Sequence, residues 1–207
     1  MILRKTPEER RARRAERRGR RAERRRGRVT ARQGTQQEAD EVAEAVGYPV
    51  SGIYTPTKKD IALFPGADDS VREHEFVHSE QYGPLRALFN APRIQDPQTR
   101  RSIRDITRSI SQDVYDSLGQ GEFSPLKYMI DRPVEFEAIL RAGVNSPNSE
   151  GIDFGQDFDS ILNDLNALPE GKTDNNVRLL RSAMGEGDLS PDQKDLFLSA
   201  IRSNLRL

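Results

Sequence analysis

The segment Ser70-Val71-Arg72-Glu73-His74-Glu75-Phe76-Val77-His78-Ser79-Glu80-Gln81 decides how the chain is read. Ser70 and Glu73 stand three apart, a capping-box signature that predicts a helix start, and Gly83-Pro84 stops that helix after about Gln81 or Tyr82. Within it His74 and His78 are four apart, one turn along one face, so two imidazole nitrogens can converge on one metal ion. These are the only histidines in the 207 residues. Glu75 projects beside them, poorly placed to be a third ligand but able to hold a water molecule and act as its general base.

Upstream, Val50 to Tyr54 and Asp60 to Phe64 are short β-type runs separated by Pro56 and Lys58-Lys59, which predicts a hairpin or two neighbouring strands ended by Pro65-Gly66. Before them the spacing Ala39, Val42, Ala43, Val46 with Gly47 behind it predicts a short helix and its terminator. Downstream the pattern is helical. Asp96-Pro97 opens a long apolar stripe through Ile103, Ile106, Ile110, Val114 and Leu118 to Gly119, Ser124-Pro125 opens a short helix, and Pro133 begins another that ends near Gly143. After a polar loop over 145–155, three amphipathic helices are expected at roughly 157–168, 174–184 and 190–205, with leucines at core spacing and no assigned chemistry. The fold class expected is mainly α with a small β-sheet, an α+β body of residues 38–145 carrying a helical extension over 146–207.

A zinc ion would need a third protein ligand and an open fourth position. With no third histidine, an acidic ligand must come from elsewhere, and Pro133-Val134-Glu135-Phe136-Glu137-Ala138 offers two glutamates. Glu135 and Ala138 share a face at i and i+3, so the small Ala138 would let this helix approach the histidine helix beside the ligand. Glu137 points away. Glu135 is therefore preferred, with Glu137 as the alternative.

His74-Glu75-x-x-His78 followed by Glu135-x-x-Ala138 resembles the gluzincin zinc metallopeptidases, from the strand near Asp60 to about Ala142. The resemblance implies a minimal zincin-like domain, zinc held by His74, His78 and Glu135, and Glu75 as general base of peptide hydrolysis. It also implies that the Asp60 to Phe64 strand is the sheet edge that aligns an extended peptide substrate. Two features depart from the family pattern. Ile139 stands where many members have Asp, which leaves the partner that orients a ligating histidine unassigned, and the residue stabilising the oxyanion is open between Tyr82 and Tyr128.

Composition separates two regimes. Residues 1–32 carry 15 Lys or Arg and 4 Glu, a net of +11, and the rest carries 18 basic and 29 acidic groups, a net of −11. The heptads 13–19 and 20–26 repeat Arg-Arg-Ala-Glu-Arg-Arg without an apolar seam, so residues 1–37 are expected to be an arginine-rich arm and polar linker rather than a coiled coil. Such an arm suits phosphate neutralisation on nucleic acid or docking to an acidic protein surface, without sequence-selective reading. The absence of cysteine excludes a disulfide framework, a cysteine nucleophile and a thiolate metal site. No apolar run is long enough to cross a bilayer, and Met1-Ile2-Leu3 passes straight into charged residues, so a soluble protein in the cytoplasm or within a virus particle, not secreted by a cleaved signal, is expected. Two functions compete: a zinc-dependent peptidase acting on a protein or peptide, and a structural or nucleic-acid-associated assembly protein that uses a peptidase-like domain as scaffold.

Overall fold

The computed structural model describes residues 29–47, 49–82, 92–94, 97–118, 123–170, 173–186 and 189–205. Residues 1–28, which hold the heptad repeat, lie outside them, as do Gly83-Pro84, Asp96 and Gly119. Two strands flanking the Pro56 to Lys59 turn, β2 (Gly52–Thr55) and β3 (Asp60–Leu63), pair antiparallel with Tyr54 opposite Ile61 and Ile53 opposite Ala62. A strand within the expected arm and linker, β1 (Thr30–Gln33), runs parallel along the other side of β3, from Thr30 opposite Asp60 to Gln33 opposite Leu63. The sheet order is β1-β3-β2. The Asp60 to Phe64 strand is therefore central, not the edge expected of it, because β1 fills its second side; among the described strands, β1 and β2 are the outer two.

Strand alternation sends β2 and β3 side chains to two faces. On one, Ala62, together with Phe64 just past β3, packs with Ala39 of helix α1 (Gln36–Val46), backed by Val42, Val50 and Ile53. Helix α1 starts inside the stretch expected to be linker. Thr35 and Glu38 form a reciprocal capping box there, and Gly47 closes the helix at φ 86°. On the other face lies α2 (Asp69–Gln81), so close to β2 that a Cβ on Gly52 would stand 2.7 Å from Val71 Cγ1. Its N-cap is Asp68 rather than Ser70: the Asp68 carboxylate accepts from the Ser70 and Val71 amides and from the Ser70 hydroxyl.

The other helices among the described residues are α3 (Pro97–Ser109), α4 (Gln112–Ser117), α5 (Pro125–Asp131), α6 (Pro133–Val144), α7 (Phe158–Ala167), α8 (Asn175–Gly185) and α9 (Pro191–Asn204). The single stripe expected up to Leu118 is divided between α3 and α4. The Thr107 and Ser109 hydroxyls donate back to the Ile103 and Ile106 carbonyls at the end of α3, and Ser111 caps α4. A 3-10 turn, Pro147–Ser149, sits in the 145–155 loop.

Helix α6 is at the centre of these helices, with Phe136, Ile139 and Leu140 fully buried and the Phe136 ring 5.3 Å from that of Phe197 on α9. One hydrophobic cluster runs from Ile94 to Ile201. It crosses the 145/146 boundary between expected body and extension, so α7, α8 and α9 complete the core that α6 needs. Gly143 permits the closest approach, since a Cβ there would come within 3.3 Å of the Asn176 carbonyl oxygen on α8. The chain is mainly α with a small mixed sheet, as its patterning indicates. No described helix is long and apolar enough to cross a membrane.

Candidate metal centre

Helical pitch puts His74 and His78 on the face of α2 that meets the first turn of α6, where Pro133 starts the helix and Glu135 follows two residues later. The Glu135 carboxylate reaches both rings: Oε2 is 3.1 Å from His74 Nε2 and Oε1 is 3.3 Å from His78 Nε2. The two Nε2 atoms are 3.0 Å apart. The side chains of His74, His78 and Glu135 are 15%, 12% and 21% exposed, so the cluster is shielded yet reachable from solvent.

Glu137, the alternative ligand, goes elsewhere. It is buried, its Oε2 accepts from the Gln81 amide at 3.0 Å, and its Oε1 faces the Arg141 guanidinium at 3.9 Å. Arg141 also donates to Glu80 at 2.7 Å, tying α6 to α2 beside the histidines.

Two carboxamides set the ring tautomers. Gln81 donates through Nε2 to the Val134 carbonyl at 2.8 Å and to Glu137, both pure acceptors, so its Oε1, 2.8 Å from His78 Nδ1, must be the acceptor there. Asn176 on α8 donates through Nδ2 to the Ser70 carbonyl at 2.9 Å, so its Oδ1, 3.0 Å from His74 Nδ1, accepts as well. Both rings thus carry hydrogen on Nδ1, and in their neutral forms both Nε2 lone pairs point at each other and at a carboxylate.

Three electron-rich groups at this separation repel unless a positive charge sits between them. In the metal-free protein a proton supplies it. Burial disfavours the His78 imidazolium, but Glu135, with help from Glu75 and the Gln81 acceptor, outweighs burial and pushes His78 up to about 9. Burial likewise acts to raise Glu135, and the two histidines hold it far below the usual carboxylate range. A metal cation can take the proton's place. One ligand atom from each of His74, His78 and Glu135 lies within 4.8 Å of the others, so the three side chains could hold a metal ion.

Glu75 is buried between α2 and β2, where a Cβ on Gly52 would lie 3.4 Å from its Cγ. Its charge raises both His78 and the Tyr82 phenol, which places it within electrostatic reach of the cluster. Tyr82 follows α2 directly, stands 5.9 Å from the Tyr54 ring on β2, and is raised by burial and by Glu135 and Glu75. Tyr128 instead packs 5.6 Å from Phe123 and beneath the Arg132 guanidinium. Sequence reasoning missed Asn176, which lies 102 residues from His74 in a segment whose periodicity signals only a core helix. The chain matches no protein-family model, no curated protein and no solved structure.

Proposed function

We propose that the chain is a zinc-dependent peptidase, with His74, His78 and Glu135 holding the ion and Glu75 acting as general base. The observation that carries this reading is the convergence of two Nε2 lone pairs and one carboxylate beside a buried glutamate on the same helix turn. Zinc in such a site supplies the polarisation that makes water nucleophilic near neutral pH. Glu75 takes the proton from the attacking water as its oxygen adds to the peptide carbonyl carbon, and returns that proton to the leaving nitrogen as the C–N bond breaks. To Tyr82, which directly follows α2, we assign donation to the carbonyl oxygen as negative charge builds on it. Among the described strands β2 lies at a side of the sheet and packs against α2.

Replacing Glu75 by Gln keeps the size of the side chain and removes the proton acceptor. Zinc should stay bound while cleavage of an unfolded protein falls by roughly 10² or more. Equal cleavage by wild type and Glu75→Gln refutes the role.

A second reading rests on the charge division of the chain, +11 in residues 1–32 against −11 in the rest. In it the protein is a nucleic-acid-associated assembly component, inside the cell or within a virus particle, and the folded body is a scaffold. A zinc-loaded wild type that cleaves no unfolded protein, together with binding to unrelated DNA that weakens steeply with salt and is lost in a chain beginning at Val29, supports this reading over the peptidase.

A further inference from the structure

Helix α8 belongs to a segment with no motif, yet its second residue reaches the histidine helix. Asn176 is 2% exposed and all its side-chain polar atoms are committed: Nδ2 to the Ser70 carbonyl at 2.9 Å and the Ser70 hydroxyl at 3.0 Å, and Oδ1 to His74 Nδ1 at 3.0 Å. The same corner is pinned from both sides. Asp68, the N-cap of α2, receives the Ser70 hydroxyl and, at 3.4 Å, the Asn175 amide, while Gly143 lets the α8 backbone sit directly against α6. Gln81 performs the matching task for His78 from within α2.

We propose that Asn176 is a positioning residue of the metal centre, so that docking of α8 onto α2 sets the tautomer and ring orientation of His74 and links completion of the C-terminal helices to metal affinity. This rests on the metal-site reading above. The physical reason is the division of labour within one carboxamide. Its nitrogen faces a main-chain carbonyl that can only accept, which leaves the oxygen as acceptor for His74 Nδ1–H and directs the Nε2 lone pair to the ion. Ile139 on α6 is fully buried in the apolar core. A neutral amide beside His74 adds no negative charge to a cluster that already contains Glu135 and Glu75.

The test uses the full chain, with cobalt(II) and zinc as probes against a competing chromophoric chelator, in wild type, Asn176→Ala and Asn176→Asp. Asn176→Ala should weaken both metals by ~10–100-fold, and Asn176→Asp, which keeps an oxygen facing the ring but sets its second oxygen against the Ser70 carbonyl, should recover only part of that loss while keeping the His74 Nδ1 proton. Because the chain has two histidines, NMR of the zinc-loaded protein resolves them individually. The slowly exchanging Nδ1 proton of His74 should disappear in Asn176→Ala while that of His78, held by Gln81, persists. Should Asn176→Ala fail to fold, Asn176→Asp still decides: a retained His74 proton supports positioning, and its loss overturns it. Unchanged affinity in Asn176→Ala, or equal loss of both ring protons, overturns the inference and leaves the metal site standing. Failure of wild type to bind either metal overturns the site and the inference together.

Discussion

In the metal-free protein the proton on His78 occupies the place a metal would take, so metal binding must displace it, and the size of that effect follows from the structure. Held up to about 9 by Glu135, His78 is almost fully protonated at pH 7. The metal must compete with that proton at a cost of ~100-fold in apparent affinity relative to a deprotonated ring, one factor of ten for each pH unit below 9. Close to one proton should therefore leave on binding at pH 7, and about half as many at pH 9. Calorimetric titration of the metal-free chain with zinc, in buffers of different ionisation enthalpy at one pH, reads the number of protons directly. An apparent affinity that rises about tenfold from pH 6.5 to 7.5 should accompany it. Binding at pH 7 with no proton release, or affinity flat across that interval, refutes the proposed arrangement of His78 Nε2 and Glu135.

The same groups predict how the metal-free chain responds to pH without any ligand. His78 is raised above its unfolded value of ~6.5, so its stabilisation is complete below ~6.5 and lost as pH rises through about 9; Glu135 is depressed, so its contribution is present above ~4.5 and lost as pH falls. Thermal melts should thus show this cluster's contribution peaking between ~4.5 and 6.5, whereas the gain from added zinc should grow as pH rises above that range. Arg141→Met withdraws the cation shared by the buried carboxylates of Glu80 and Glu137 and should cost about 3–5 kcal/mol in denaturant unfolding. A change under about 1 kcal/mol would show that the Arg141 network contributes little to holding α6 on α2.

Much of this arrangement is legible from local pattern because local physics governs it. The i,i+4 histidines, the Pro133 helix start and the shared face of Glu135 and Ala138 are consequences of helical pitch, and Glu135 rather than Glu137 does reach the rings. Strand β1 could not be seen in the same way. Thr30-Ala31-Arg32-Gln33 is exposed at every residue and has no apolar alternation; it is held by pairing with β3 and by Arg32 bridging Asp60 and Glu38 at 3.0 and 2.8 Å. Asp68 and Ser70 are both good N-cap residues, and the choice fell to Asp68 because its carboxylate collects three donors at once. Asn176 shows the limit of sequence reading most clearly. Nothing near it in the chain marks a polar residue as special, and only the close approach of α8 to α6 and α2 delivers it to His74.

The most direct test of the central claim is metal content. Purified full-length chain, loaded with zinc and exchanged into metal-free buffer, is compared by elemental analysis with His74→Ala, Glu135→Ala and Glu137→Gln. The proposed site requires one zinc per chain in wild type and in Glu137→Gln, and loss of stoichiometric zinc in His74→Ala and Glu135→Ala. A wild type without stoichiometric zinc, or Glu135→Ala holding as much as wild type, would contradict it.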